Sequence, residues 1–249
     1  NQIAYVSRVG ESAGKMYGFV YDGTYKEEDF NITVNENGKK TYELKPGVPK
    51  FKDGCQPGDP KYKNVDGSED NLITDNDRTV IGNGHPLHTG GFTNNFVYKN
   101  WDLNIFLQWS YGNDIFNVNR LVMENPGAKK QLNQFASYKN RWSESNPTSN
   151  IPRVRAVGAD EYSSLYVEDG SFLKLKTISL GYNFDAKTLK RIGISAARVF
   201  VSAENIATIT GYSGSDPEVS TRHSVLTPGF DWSAYPRAFN ASLGVNVTF

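Results

Sequence analysis

Residues 237–249 read RAFNASLGVNVTF and carry the pattern that decides the fold. Apolar side chains occupy one parity: Phe239, Ala241, Leu243, Val245, Val247 and Phe249. Small or polar side chains occupy the other: Asn240, Ser242, Gly244, Asn246 and Thr248. Because successive side chains of a β-strand point to opposite faces, this segment predicts a strand with one apolar and one polar face. The apolar face needs an apolar neighbour, which is either the second sheet of a soluble β-sandwich or the hydrocarbon around a membrane β-barrel.

Four upstream segments repeat this alternation and predict further strands: residues 89–98, 101–111, 171–184 and 196–206. The first two form a predicted hairpin that turns at Lys99 and Asn100. Lys174 and Lys176 share the apolar parity of their strand. We therefore expect these long cations to snorkel where that strand leaves an apolar environment.

The connections between these strands alternate between short and very long. Short turns on one side and long loops on the other, with strands of about 9–11 residues, are typical of an outer-membrane barrel. About five strands cannot close a barrel, since about eight is the smallest common number. The remaining strands must therefore lie outside these residues. The alternative is a soluble β-sandwich that binds carbohydrate.

Composition favours an all-β protein and excludes some functions. Lys plus Arg and Asp plus Glu number 27 each, so no net field attracts a polyanion, and we expect no nucleic-acid partner. Aromatic residues at 13% and 23 glycines favour many short strands joined by turns. No apolar run approaches the ~20 residues of a transmembrane helix. Residues 27–63 read as a surface connector rather than core, and 114–142 predicts two short helices.

The most acidic segment is residues 64–78, NVDGSEDNLITDNDR. Its candidate calcium ligands are Asn64, Asp66, Asp70, the carbonyl of Leu72, and Asp77. Calcium takes about six to eight oxygen ligands on a turning loop, which this segment can supply. However, Ser68 and Glu69 look inserted relative to the D-x-[DN]-x-[DN]-G pattern. The alternative is a solvated acidic turn held by Asx hydrogen bonds, so a structural calcium ion stays open.

Several motifs, in this order, carry a family resemblance. They are VGESAGKMYGFVYDG (9–23), PGDPKYKNVDG (57–67), DNDRTVIGN (75–83), YKNWDLNIFLQWSYGNDIFN (98–117), RWSESNPTSNIPR (141–153), YVEDGSFLKLKTISLGYNF (166–184), RVFVSAENIATITGYSGSDPEVS (198–220) and YPRAFNASLGVNVTF (235–249). Together they resemble the C-terminal part of SusC/RagA-type TonB-linked outer-membrane transporters, over nearly the whole chain.

The resemblance implies the last five strands of a barrel of about 22 strands. Residues 87–249 would be these strands and their loops, and residues 1–86 an extracellular loop region that follows an earlier strand. The family's plug domain is not among these residues. Phe249 resembles the terminal signal for outer-membrane assembly.

The resemblance also implies a function at the cell outer membrane. Such transporters import oligosaccharides or peptides with a SusD-like surface lipoprotein as partner, and the TonB complex supplies energy through the plug. They require no cofactor. The sequence has no G-x-S-x-G, H-E-x-x-H or P-loop motif, so no enzyme activity is expected. Candidate aromatic contacts with cargo or partner lie in the loops: Trp142, Tyr212, Trp232 and Tyr235.

Overall fold

The computed structural model describes residues 4–125 and 132–249. It divides into two compact units. Unit 1 comprises the described residues of Asn1–His85, Asp114–Glu168 and Val219–Ser233, and unit 2 comprises Pro86–Asn113, Asp169–Glu218 and Ala234–Phe249. The sequence also predicts the tail of a strand at residues 3–9. Residue 3 of that segment, and residues 126–131 of the predicted helical segment 114–142, lie outside the described residues.

Unit 2 is built on one large antiparallel sheet of five strands. These are β1 (His88–Tyr98), β2 (Trp101–Tyr111), β3 (Phe172–Asn183), β4 (Ala196–Thr210) and β5 (Asn240–Thr248). Each strand pairs with the next one along the chain, in the order β5-β4-β3-β2-β1. The predicted all-β class and the five strands are therefore confirmed. One short helix, α2 (Ala186–Lys190), lies between β3 and β4.

A β-bulge at Lys176 changes which side chains of β3 share a face. Leu175 pairs with Leu107, but Thr177 already pairs with Phe106, so Lys176 is an extra residue. A residue inserted in this way reverses the alternation on one side of it. Lys174 consequently lies on the polar face, and its side chain is 2% exposed. The predicted position of Lys174 on the apolar face is wrong for this reason.

The apolar face of the large sheet is exposed. Its exposed members are Phe92, Phe96, Tyr98, Trp101, Leu173, Leu180, Val201, Ile209, Leu243, Val245 and Val247. Leu243 is 77% exposed and Ile209 is 71% exposed. A β-sandwich would cover these side chains with a second sheet. The described residues provide no such cover, which argues against the sandwich alternative.

Unit 1 contains small sheets and short helical segments. Its strands are Tyr5–Val6, Lys15–Gly18, Tyr21–Thr24, Phe30–Val34, Lys40–Leu44, Pro60–Tyr62, Thr79–Asn83, Asp114–Asn117, Val167–Asp169 (which ends at the border of unit 2) and Phe230–Asp231. Its one described α-helix is α1 (Val118–Met123), and 3₁₀ turns occur at Glu27–Asp29, Asp75–Asp77, Ala136–Asn140 and Ser164–Tyr166. Of the two helices predicted in 114–142, the described residues thus form one α-helix and one 3₁₀ turn. No helix among the described residues is long and apolar enough to cross a membrane.

Aromatic side chains form much of the core of unit 1. Phe51 and Tyr62 both pack with Phe19, and the ring centroids of Phe51 and Tyr62 lie 5.0 Å apart. Phe30 packs with Tyr25 and Cys55 in a second cluster. The prediction that residues 27–63 are a connector rather than core is therefore wrong. The rings meet through contacts between distant segments, which leave no periodic pattern in the sequence.

Candidate functional site

The polar face of the large sheet carries a buried ionic cluster. Lys174, on β3, places its Nζ 2.5 Å from Oε2 of Glu218 and 3.3 Å from Oδ1 of Asp216. Lys176 lies 3.3 Å from the same Glu218 oxygen, and Nε of Arg237 lies 3.6 Å from it. Three cations therefore surround two carboxylates that belong to a loop.

Residues 211–218, which we call the strap, supply both carboxylates. Asp216 turns the strap by accepting a hydrogen bond from the backbone N–H of Glu218 at 2.9 Å. Its second oxygen accepts from the backbone N–H of Arg237 at 3.2 Å. Near the start of the strap, Tyr212 is 5% exposed. The ion pairs thus hold an irregular segment against the wall formed by the sheet.

The two strap carboxyls are held ionised. Burial by itself raises the pKa of Glu218, but the ammonium of Lys174 and the charges of Arg237 and Lys176 outweigh it and lower this pKa below its usual value. Burial by itself also raises the pKa of Asp216. The backbone N–H groups of Glu218 and Arg237 and the charge of Lys174 outweigh burial and lower this pKa below its usual value. Ion pairing with the strap is therefore maintained at neutral pH.

A second polar group lies at the opposite end of the same face. Arg198 Nη2 donates to Asp102 Oδ2 at 2.5 Å, and Asn183 Nδ2 donates to the other oxygen at 3.0 Å. These residues come from three neighbouring strands. The polar face is consequently cross-linked by ionic contacts near both of its ends.

Aromatic side chains mark both ends of the exposed apolar face. At one end Trp101 and Tyr182 have ring centroids 4.8 Å apart. At the other end His88 stacks on Tyr111 at 5.2 Å and accepts a hydrogen bond at Nδ1 from Trp109 Nε1 at 3.2 Å. Trp101 and Trp109 are separated by about 26 Å along β2 at ~3.3 Å per residue. This separation matches the ~25 Å apolar band of membrane barrels, which aromatic girdles flank.

The acidic segment 64–78 is closed by its own hydrogen bonds. Asp77 is fully buried, and its carboxylate accepts from the backbone N–H groups of Val65 at 2.8 Å and Thr74 at 2.8 Å. Ser68 bonds to three of the predicted ligands: it accepts from Asn64 Nδ2 at 3.2 Å and donates to Asp66 and Asp70 at 2.8 Å each. Ser68, which interrupts the calcium-loop pattern, is thus the hub of an Asx-type turn.

This geometry bears on the predicted calcium ligands, which also include the carbonyl of Leu72. The backbone N–H of Leu72 donates to Asp70 at 2.9 Å, a bond that together with Ser68 lowers the pKa of Asp70. In the part of the chain that the structure describes, no group of three or more His, Cys, Asp or Glu side chains is arranged to hold a metal ion. Calcium binding stays a prediction.

The four predicted contact aromatics lie in different environments. In unit 1, Trp142 is half-buried, with its ring packed on Gly58, and Trp232 is 42% exposed. In unit 2, Tyr235 is 90% exposed, whereas Tyr212 is buried in the strap. Tyr212 is therefore left out of the proposed contacts.

Sequence reasoning missed the ionic cluster. The available signal was the pair of acids in SDPE, residues 215–218, together with two lysines on a strand. The bulge conceals which face Lys174 takes, because the alternation on either side of it is out of step. Phe249, the predicted assembly signal, follows β5 and is 88% exposed.

Comparison with known sequences identifies relatives over nearly all of the chain. TonB-dependent receptor P3 of Formosa agariphila is 33% identical over 98% of this chain, and receptor P26 of the same organism is 31% identical over 97%. TonB-dependent receptor SusC of Bacteroides thetaiotaomicron is 29% identical over 64% of this chain. The chain spans 23% of the length of P3 and of P26, and 15% of SusC. No protein family model matches.

Comparison with solved structures shows the same fold. The RagAB peptide importer in its closed-closed state superimposes with a TM-score of 0.71 at 21% identity, covering 99% of this chain and 24% of the importer chain. Its open-open state gives a TM-score of 0.66 at 20% identity, covering 99% and 23%. The five-stranded sheet and its connections therefore have the fold of one part of a much longer chain.

Proposed function

We propose that this chain, which is homologous to TonB-dependent receptors that include SusC, forms part of the wall and extracellular vestibule of an outer-membrane importer. The main support for this proposal is the exposed apolar face of the large sheet, which aromatic side chains bound at both ends. Hydrocarbon provides the apolar neighbour that this face needs, and the polar face lines the interior. In this role residues 87–249 provide the last strands and loops of a barrel, and residues 1–86 an extracellular region.

The lengths of the connections orient the chain in the membrane. Lys99 and Asn100 join β1 to β2, and residues 184–195 join β3 to β4 at the same end. The connections 112–171 and 211–239 leave the other end. Since outer-membrane barrels have short periplasmic turns and longer extracellular loops, we assign the end with Lys99 to the periplasm. The strap then lies on the extracellular half of the interior.

The cargo we propose is an oligosaccharide or a peptide, with a SusD-like lipoprotein as the surface partner and the TonB complex as the source of energy. The peptide class is supported by the solved structures of the same fold, which include an importer of peptides. The oligosaccharide class is what the family resemblance of the sequence implies. Exposed Trp232 and Tyr235 provide aromatic surfaces of a kind that either cargo or a protein partner contacts. Transport requires parts of the protein beyond these residues, and no catalytic role is proposed.

Site-specific fluorescence quenching tests the membrane assignment in the full-length protein. In a Cys55→Ala background, Leu243→Cys and Ser242→Cys place a bimane label on neighbouring residues of opposite faces. Lipids brominated on their acyl chains should quench the label at 243 severalfold more than the label at 242. Equal quenching, or stronger quenching at 242, would contradict the proposal.

Uptake measurements test the importer assignment and the cargo together. Cells that express the full-length protein should accumulate a labelled oligosaccharide or peptide only when TonB is intact. Trp232→Ala and Tyr235→Ala should lower uptake at limiting cargo, whereas substitution of the buried Tyr212 by Phe should not. TonB-independent uptake, or no uptake from panels of both classes, would overturn this part of the proposal.

A further inference from the structure

Four cations form a rim at one end of the large sheet. Lys99 lies in the turn between β1 and β2, and Lys187, Lys190 and Arg191 lie in the connection between β3 and β4. We call these four residues the cationic rim. The two connections are adjacent, because the backbone N–H of Asn183 donates to the carbonyl of Asn100 at 2.8 Å.

The local fold places three of these cations on one side of helix α2. Asp185 caps the helix by accepting from the backbone N–H of Lys187 at 3.2 Å. Lys187, Lys190 and Arg191 have the spacing i, i+3, i+4, which places them on the same side of a helix. Leu189 is buried and lies on the opposite side. The buried leucine thus fixes the helix with its cationic side in solvent.

The charge of the rim is poorly compensated. No salt bridge among the described residues involves any of its four members. Of the carboxylates at this end, Asp102 pairs with Arg198 and Asp185 caps α2. The acids of the strap lie at the other end of the sheet. Positive charge therefore concentrates at one end of unit 2.

Exposed apolar side chains accompany the rim. Phe184 is 45% exposed at the end of β3, and Ile192, directly after Arg191, is 68% exposed. Ser195 donates its backbone N–H to the carbonyl of Thr248 at 2.8 Å, which brings the connection beside Phe249, itself 88% exposed. Cations combined with exposed apolar groups beside an apolar face are typical of protein surfaces that lie at a membrane interface.

We propose that the cationic rim binds the phosphate headgroups of anionic phospholipids in the periplasmic leaflet. The inference rests on the proposed function for the position of this end of the sheet at the periplasmic surface. The headgroups supply the missing negative charge, while Phe184 and Ile192 contact the upper part of the acyl chains. Each cation near an anionic membrane surface contributes on the order of a fivefold increase in binding.

Native mass spectrometry of the full-length protein in detergent tests the lipid site. The protein is mixed with phosphatidylglycerol, phosphatidylcholine or phosphatidylethanolamine, and bound lipids are counted. We expect retention of phosphatidylglycerol over the other two. The triple variant Lys187→Gln, Lys190→Gln, Arg191→Gln should lose at least tenfold in that retention.

The matched control changes three exposed lysines of unit 1, Lys39→Gln, Lys45→Gln and Lys139→Gln, and should retain phosphatidylglycerol like the unchanged protein. Equal retention by the two triple variants, or retention of phosphatidylglycerol no greater than that of the two zwitterionic lipids, would overturn the lipid site. The bimane experiment at 242 and 243 separates this outcome from failure of the membrane assignment, because it does not depend on headgroup charge.

Discussion

The ammonium nitrogen of Lys174, whose side chain is only 2% exposed, lies 2.5 Å from Oε2 of Glu218. The two residues are 44 positions apart in the chain. This contact ties the strap to the polar face of the sheet, and removal of one partner leaves buried charge without compensation.

Lys174→Met should destabilise the protein by roughly 3 kcal/mol, because breaking a buried ion pair costs about 3–5 kcal/mol and Lys176 and Arg237 still face Glu218. The loss is measured as a lower midpoint of the heat-induced mobility shift of the full-length protein. Lys176→Met, at a more exposed position, should have a smaller effect. The double variant Lys174→Met, Glu218→Gln should recover part of the loss, and an unchanged midpoint for Lys174→Met would contradict this account.

Acid should release the strap. The folded-state pKa values of Glu218 and Asp216 are lowered, so their contribution to stability is fully present above the unfolded values, 4.5 and 3.8, and is lost as pH falls through the lowered folded-state values. The protection of residues 211–218 against hydrogen exchange, measured relative to the intrinsic exchange rate at each pH, should therefore decrease as pH falls below about 4.5. In Glu218→Gln, protection should already be lower at neutral pH and should depend less on pH. A strap whose protection increased on acidification would exclude this linkage.

Gly244→Val should destabilise the pairing of β4 with β5. Gly244 pairs directly with Phe200, whose ring lies where a Cβ at position 244 would be built. The cost is steric, and we expect about 1–3 kcal/mol, as for other overpacked sites. The thermal midpoint of the full-length protein measures it. Phe200→Ala in the same chain should relieve the clash. If the double variant is no more stable than Gly244→Val alone, the ring contact is not the cause.

Asp77→Ala should destabilise the acidic loop of unit 1 by about 1–3 kcal/mol, because it removes the buried carboxylate that accepts hydrogen bonds from the backbone N–H groups of Val65 and Thr74. Asp75→Ala is the control, since the Asp75 side chain is 90% exposed and its ion pair with Arg78 should contribute under 1 kcal/mol. Thermal unfolding compares the two variants. A larger loss for Asp75→Ala would contradict the hydrogen-bond assignment.

Chelation tests calcium binding by the same loop. Since Ser68 and backbone N–H groups already bond to the carboxylates of Asp66, Asp70 and Asp77, we expect EDTA and about 1 mM calcium to give the same thermal midpoint. An increase of several degrees with calcium, lost in Asp70→Asn, would instead support the calcium loop that the sequence left open.

Much of the large sheet could be predicted because its signal is local. The alternation in residues 101–111 gave β2 with its observed bounds, Trp101–Tyr111, and the two-residue turn at Lys99 and Asn100 required β1 to pair with it. Each strand carries its own face pattern, and short connections leave neighbouring strands little choice of partner. The pairing of the last strand with β4 spans the long connection 211–239, so it was expected from the family resemblance rather than from a short turn.

The sequence by itself therefore determined the strands, the hairpin of β1 with β2 and the apolar face, because these depend on alternation and turns within about ten residues. Only the tertiary structure decided that the bulge at Lys176 turns Lys174 to the polar face, and that the strap carboxylates meet it there. It also decided that aromatic residues of 27–63 form core. These features depend on contacts between distant segments, where burial and charge compensation select one arrangement that no local pattern specifies.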